Sequence, residues 1–213
     1  IALRINPGFG HGHVQACDTG GPSSKHGIWY EDHAVAGAMA KDAGFPVVAL
    51  HAHVGTGPQI EEFDRNMRHL AEVFEELMAS YPEADAVNLG GGIPHAYRPG
   101  ARHYDLANYQ VILVEAQRAL SESAGRQVRV EIEPGRYPVA GMALLVGRVK
   151  DVKATRTNQK GPGHEFIMTD AGFNDLIRPA MYGSYHAISI VGKGASRPLE
   201  PFVVAGPLCE SGD

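Results

Sequence analysis

The chain has 213 residues, 44% of them hydrophobic and 20% charged, which suits a packed core and excludes wholesale disorder. Acids outnumber bases by 24 to 19, and no run of Lys or Arg stands out, so a nucleic-acid footprint is excluded. Two cysteines, Cys17 and Cys209, cannot make a disulfide scaffold and predict a reducing, cytoplasmic setting, while the lack of an 18-residue apolar run predicts no membrane partner.

In chain order, Ile1 to Asn6 reads as a strand. Asp32 to Ala43 has helical composition and stops at Gly44, a residue suited to a left-handed helix end. Val47 to His53 is the next strand. From Ile60 to Ser80, Phe63, Met67, Leu70, Val73, Phe74 and Leu77 follow helical spacing, the mark of an amphipathic helix. Ala86 to Leu89 is a third strand, followed by Gly90-Gly91-Gly92. Tyr104 to Ala124 is a second long helix, with Leu106, Tyr109, Leu113, Ala116 and Leu120 on one face and Gly125 at its end. Val128 to Glu133 is a fourth strand, stopped by Pro134-Gly135. Such alternation predicts βαβ units and a parallel sheet.

The pattern changes near residue 137. Ala143 to Lys153, Glu165 to Asp170, Ala187 to Val191 and Phe202 to Ala205 are strand-like, with no long helix between them. Lys150 to Gly163 is polar and reads as a hairpin or an exposed loop. The expected architecture is therefore an α/β part over 1–138, then the start of a mostly β part over 139–213.

In an α/β barrel the chemistry gathers at the carboxyl ends of the strands. Here those ends carry His51-Ala52-His53-Val54-Gly55-Thr56, Asn88-Leu89-Gly90-Gly91-Gly92, and Glu131-Ile132-Glu133-Pro134-Gly135-Arg136. Period two puts His51 and His53 on one face. Gly-rich turns let backbone N–H groups approach a phosphate. Each feature alone has an ordinary structural reading: a tight turn, a stacked imidazole pair, a surface ion pair. A metal-dependent hydrolase built on His51, His53 and Glu133 is a competing reading, weakened by the lack of a zinc-type spacing.

Taken together, the chain resembles the fold type III, alanine-racemase-like, pyridoxal-phosphate decarboxylases. The resemblance is carried by Asn6-Pro7-Gly8-Phe9-Gly10-His11-Gly12-His13, Ser24-Lys25-His26-Gly27-Ile28, the His53-Val54-Gly55 turn, the Gly triplet, Glu133-Pro134-Gly135-Arg136, residues 170–186, and Cys209-Glu210-Ser211-Gly212-Asp213. The tail after Cys209 is most similar to the branch acting on diaminopimelate, rather than the ornithine or arginine branch.

The resemblance implies a TIM-like α/β barrel, of which the C-terminal half is present, and pyridoxal 5'-phosphate as cofactor. It implies decarboxylation of meso-diaminopimelate to L-lysine. By the same resemblance Glu133 faces the ring nitrogen and His53 stacks on the ring. Thr56, Gly90, Gly91, Gly92, Gly135 and Arg136 bind the phosphate side, Thr56 standing where relatives often carry Ser. Arg136, Arg178, Tyr182 and Glu210 would bind the amino-acid substrate, and Cys209 would donate the proton after CO2 leaves. The family's arrangement implies a homodimer in which Cys209 and Glu210 serve the partner's site. The alternatives are a decarboxylase of another basic amino acid, of the ornithine or arginine type, and a non-catalytic cofactor-binding relative.

One family feature finds no match. The lysine that links to the cofactor lies upstream of anything resembling Ile1, and Lys25, Lys41, Lys150, Lys153, Lys160 and Lys193 do not stand in its context. The last substrate-site tyrosine beyond the tail also has no counterpart. The sequence is therefore expected to be an internal piece of a longer decarboxylase.

Overall fold

The computed structural model describes residues 1–192 and 201–213, so Lys193 lies outside the described residues. Two compact units emerge. One comprises Ile1–Ala96 with Ala101–Met142, and the other Tyr97–Gly100 with Ala143–Asp213.

The first unit is a parallel α/β layer. Its strands are β1 (Ala2–Asn6), β2 (Ile28–Trp29), β3 (Ala49–His51), β4 (Ala86–Asn88) and β5 (Arg129–Glu131), and its longer helices are α1 (His33–Asp42), α2 (Ile60–Met78) and α3 (Leu106–Ala124). The spatial order is β2-β1-β3-β4-β5, every pair parallel. Central strand residues Leu50 and Val87 are fully buried, as strands covered on both faces require.

Helices α2 and α3 form where the apolar spacing puts them. Phe63, Met67, Leu70, Phe74 and Leu77 are buried along α2, and Tyr109, Ile112, Ala116 and Leu120 along α3. Leu106 departs from expectation. It lies in the first turn of α3 and is 50% exposed, so the buried face starts at Tyr109. Asp105 caps that turn by accepting from Ala107 N–H at 2.9 Å, and Gly125 closes the helix at φ 64°. Asp64 on α2 accepts from Tyr104 Oη at 2.6 Å and Asn108 Nδ2 at 2.8 Å, pinning the start of α3 to α2. Burial, with Asp64 second, raises the Tyr104 hydroxyl pKa far above its usual value and keeps it a donor.

A short helix α4 (Arg136–Val139) follows β5, where the sequence suggested only a stop. The second unit holds β6 (Val149–Ala154), β7 (Glu165–Thr169), α5 (Arg178–Tyr182) and β8 (Val203–Ala205). Strands β6 and β7 form the expected antiparallel hairpin with a polar tip, and β8 joins β7 in parallel, giving a small mixed sheet. Two strand expectations fail there. Residues 143–148 and 187–190 take no regular structure. Their apolar side chains stay in solvent, with Leu144 92% and Ile188 71% exposed, and no neighbouring strand among the described residues pairs with them.

Candidate active site

The carboxyl ends of β3, β4 and β5 lie side by side because their register is fixed. His51 is opposite Asn88, and Asn88 opposite Glu131. The ladder continues past the strands, with Ala52 N–H donating to Asn88 O at 3.0 Å, Leu89 N–H to Glu131 O at 2.9 Å and Glu133 N–H to Gly90 O at 2.7 Å. His53, the Gly triplet and Glu133 are therefore held by the sheet rather than by loose loops.

His53 shows this most clearly. Its carbonyl accepts from Thr19 Oγ1 at 2.7 Å. Gly91 N–H donates to Nδ1 at 3.2 Å, and Nε2 lies 3.3 Å from Thr56 Oγ1. A ring that accepts at Nδ1 carries its proton on Nε2, which donates to the Thr56 hydroxyl. Burial, with the positive charge of Arg4 second, pushes the His53 pKa below its ordinary value, so the ring is neutral near pH 7. The result is an uncharged, oriented, flat surface.

Two of the three glycines use their N–H groups internally. Gly90 N–H donates to Asn88 Oδ1 at 2.8 Å and Gly91 N–H to His53 Nδ1. An anion at this turn is therefore left to Gly92, Thr56 and the next strand end. Gly92 needs its lack of a side chain. Its φ is +97°, and a Cβ there would sit 2.1 Å from Gly55 O. At Gly135 a Cβ would meet nothing within 4 Å, so the space beyond that turn is open. Arg136 reaches back toward the Gly57 turn, with Nη1 3.3 Å from where a Gly57 Cβ would lie.

Glu133 completes the constellation. Asn88 Nδ2 donates to its Oε1 at 3.3 Å, and His51 Nε2 stands 3.4 Å from Oε2. Sequence reasoning passed over Asn88, because an Asn at a strand end reads as a turn residue until the strand register is known. The cleft these residues share has a volume of about 100 Å³ and is lined by His53, Thr56, Gly92, Ile93, Glu133, Pro134, Gly135, Arg136 and Tyr137. A larger groove of about 540 Å³ lies beside the turn after β1. Two of its polar side chains are engaged: His11 Nδ1 with Asn66 Oδ1 at 3.1 Å, and Asp18 Oδ1 with Gly12 N–H at 2.5 Å. The smaller cleft is the one that brings His53, Thr56, Glu133 and Arg136 together. Among the described residues no group of three His, Cys, Asp or Glu could hold a metal ion, so His51, His53 and Glu133 do not assemble as a metal site.

The donor set of that cleft fits a phosphorylated pyridine aldehyde. A carboxylate suits a protonated ring nitrogen, a neutral imidazole suits a ring face, and a hydroxyl, a guanidinium and a bare glycine turn suit a phosphate.

The remaining expected residues belong to the second unit. Arg178 opens α5, donates from Nη2 to Ser184 Oγ at 3.1 Å, and lies over the Tyr182 ring at 5.7 Å. Cys209 and Glu210 sit in the turn after β8, with Cys209 exposed. Asp213 holds that turn. Its carboxylate accepts from Leu208 N–H at 2.6 Å and from Phe173 N–H.

Residues 1–140 match the family described as pyridoxal-dependent decarboxylase, pyridoxal binding domain, and residues 101–213 match its C-terminal sheet domain. The diaminopimelate decarboxylase of Escherichia coli (strain K12) is 41% identical over 221 residues, covering 100% of this chain and 50% of the relative. That of Streptomyces coelicolor is 42% identical over 220 residues, covering 100% and 47%. The chain thus spans about half the length of the curated relatives it matches. A crystal structure of diaminopimelate decarboxylase superposes with a TM-score of 0.86 at 37% identity, covering 100% of this chain and 49% of the other. The Helicobacter pylori enzyme complexed with L-lysine superposes at 0.81 and 27% identity, covering 100% and 50%. No helix among the described residues is long and apolar enough to cross a membrane.

Proposed function

The chain belongs to the pyridoxal-dependent decarboxylases, and from that premise we propose that it carries much of the site at which meso-diaminopimelate loses CO2 to give L-lysine. The observation that carries the reading is the placement of neutral His53 and the Glu133 carboxylate in one cleft with Thr56, Gly92, Gly135 and Arg136. Bound pyridoxal phosphate supplies a pyridine ring that takes up the electron pair left behind when CO2 departs.

The residues of this chain prepare that chemistry. Glu133 accepts a hydrogen bond from the ring nitrogen and keeps a proton there. His53 covers one ring face without adding charge beside it. The Thr56 hydroxyl, the Gly92 and Gly135 backbone and the Arg136 guanidinium receive the phosphate. In the second unit, Arg178 and Tyr182 grip the substrate carboxylate that is retained, as guanidinium geometry allows. Glu210 pairs with the distal ammonium, and Cys209 Sγ delivers a proton to the carbon that lost CO2. Cys209 and Glu210 act in the partner's site of a cytoplasmic homodimer. On this reading the parallel sheet of residues 1–138 is half of an α/β barrel, and 139–213 begins the second domain.

The test is release of labelled CO2 by the full-length protein with pyridoxal phosphate. The assay compares carboxyl-labelled meso-diaminopimelate with lysine, ornithine and arginine. Release from diaminopimelate above the other three supports the assignment. Preference for ornithine or arginine would overturn the substrate, and no release from any of them would overturn the reaction.

A further inference from the structure

Glu133 must satisfy two demands to hold a proton on a ring nitrogen: it must stay negative, and its oxygens must point one way. Its side chain is 54% exposed, and among the described residues no Lys or Arg lies within ion-pair distance of it. Two neutral groups from adjacent strands face it instead. Asn88 Nδ2, at the end of β4, donates to Oε1 at 3.3 Å. His51 Nε2, at the end of β3, lies 3.4 Å from Oε2.

The His51 contact is the telling one. Nε2 is shut off from solvent and forms no full hydrogen bond with any described residue. A buried N–H without an acceptor is destabilising, and Glu133 Oε2 is the carboxylate oxygen in reach. A small rotation of the half-exposed Glu133 side chain completes the bond. The imidazole is also uncharged. Burial pushes its pKa down, Glu133 pulls it up and Arg4 pushes it down again, with burial prevailing. A cation in this position would partly neutralise the carboxylate before a ring nitrogen met it. Asn88 adds a second tie, since its Oδ1 accepts from Gly90 N–H at 2.8 Å, linking the carboxylate to the Gly-rich turn.

We propose that His51, through Nε2–H, and Asn88, through Nδ2–H, are positioning residues that aim the Glu133 carboxylate without neutralising it, and so keep the cofactor's ring nitrogen protonated. The inference rests on the reading of Glu133 given above. Neither residue touches the reacting atoms; both act through Glu133.

The experiment loads the full-length protein with pyridoxal phosphate labelled with ¹⁵N in the ring and reads the nitrogen's chemical shift, beside cofactor affinity, kcat and KM. In His51→Phe the shift should move toward that of an unprotonated pyridine, while cofactor affinity and KM hold. Loss of a hydrogen bond to a charged group predicts a kcat roughly tenfold lower. His51→Gln, which restores an N–H, should recover most of the shift and the rate. A His51→Phe protein with the wild-type shift would overturn the proposal, as would a His51→Gln protein no better than the Phe variant. If His51→Phe does not fold, Asn88→Ala reads the same nitrogen through the other donor, and an unchanged shift there overturns the proposal. An unchanged shift in Glu133→Gln would overturn the reading of Glu133 itself, and the inference with it.

Discussion

At the residue scale, burial sets the proton chemistry of the cleft. His51 and His53 both bind protons less readily than a free imidazole, with desolvation the first cause. In the unfolded chain each takes a proton near pH 6.5. Below that pH the unfolded state binds more protons than the folded one. Their contribution to stability is thus fully present above about pH 6.5 and is lost as pH falls toward the lower folded values. The urea midpoint should fall between pH 7 and pH 5, and the fall should shrink in the double variant His51→Phe/His53→Phe. Glu133 is the partner proposed for the ring nitrogen. Glu133→Ala should lower turnover by about 100-fold or more, the scale of a lost proton-transfer or charge-stabilising group. Cofactor affinity, resting on the phosphate contacts, should change only a few-fold; equal loss of both in paired kinetic and binding assays would remove the assigned role. Gly92 is a steric counterpart. A methyl group there would meet Gly55 O at 2.1 Å, a backbone atom that cannot swing aside. Gly92→Ala should destabilise by about 1–3 kcal/mol in urea unfolding, the range for overpacked positions.

At the element scale, the α2–α3 pair carries the core of the first unit. Leu70 is fully buried on α2, so Leu70→Ala should cost about 2–5 kcal/mol in denaturant unfolding, with the cleft residues unchanged in sequence. These helices were legible because nineteen-residue runs repeat their apolar spacing often enough to identify one face. Strands β1, β3, β4 and β5 were legible from apolar runs ending in turn residues. What was hidden depended on partners remote in sequence. Strand β2 is only Ile28–Trp29, and it exists because Ile5 and Asn6 stand opposite it. Helices α4 and α5 have four and five residues, too short for a periodic signal, and each contains a proline. Conversely, 187–190 has strand composition but no strand, because composition cannot supply a neighbour. The site divides the same way. His53, Glu133 and the Gly triplet announce themselves at strand ends. The engagement of Gly90 and Gly91 N–H groups, and the part played by Asn88, appear only once the register sets three strand ends side by side.

At the scale of the whole molecule, the residues given roles in the proposed reaction are distributed over both compact units. His53, Thr56, Glu133 and Arg136 belong to the first, and Arg178, Tyr182, Cys209 and Glu210 to the second. If Cys209 serves the partner's cleft, two inactive variants should complement each other. A Glu133→Ala protomer spoils its own cleft but still offers an intact Cys209 across the two-fold. A Cys209→Ala protomer keeps its own cleft but fails its partner. In a mixed dimer one site combines both lesions and the other is whole. Random exchange makes half the dimers mixed, each with half its sites restored, so activity should recover to about a quarter of the unsubstituted protein's, as two-fold symmetry with shared sites requires. The measurement is CO2 release after co-unfolding and refolding equal amounts of the two variants, compared with each variant refolded alone. Recovery near that level places Cys209 in trans. If Cys209 acts within its own protomer, each protomer keeps its own lesion, and the mixture stays as inactive as its parts.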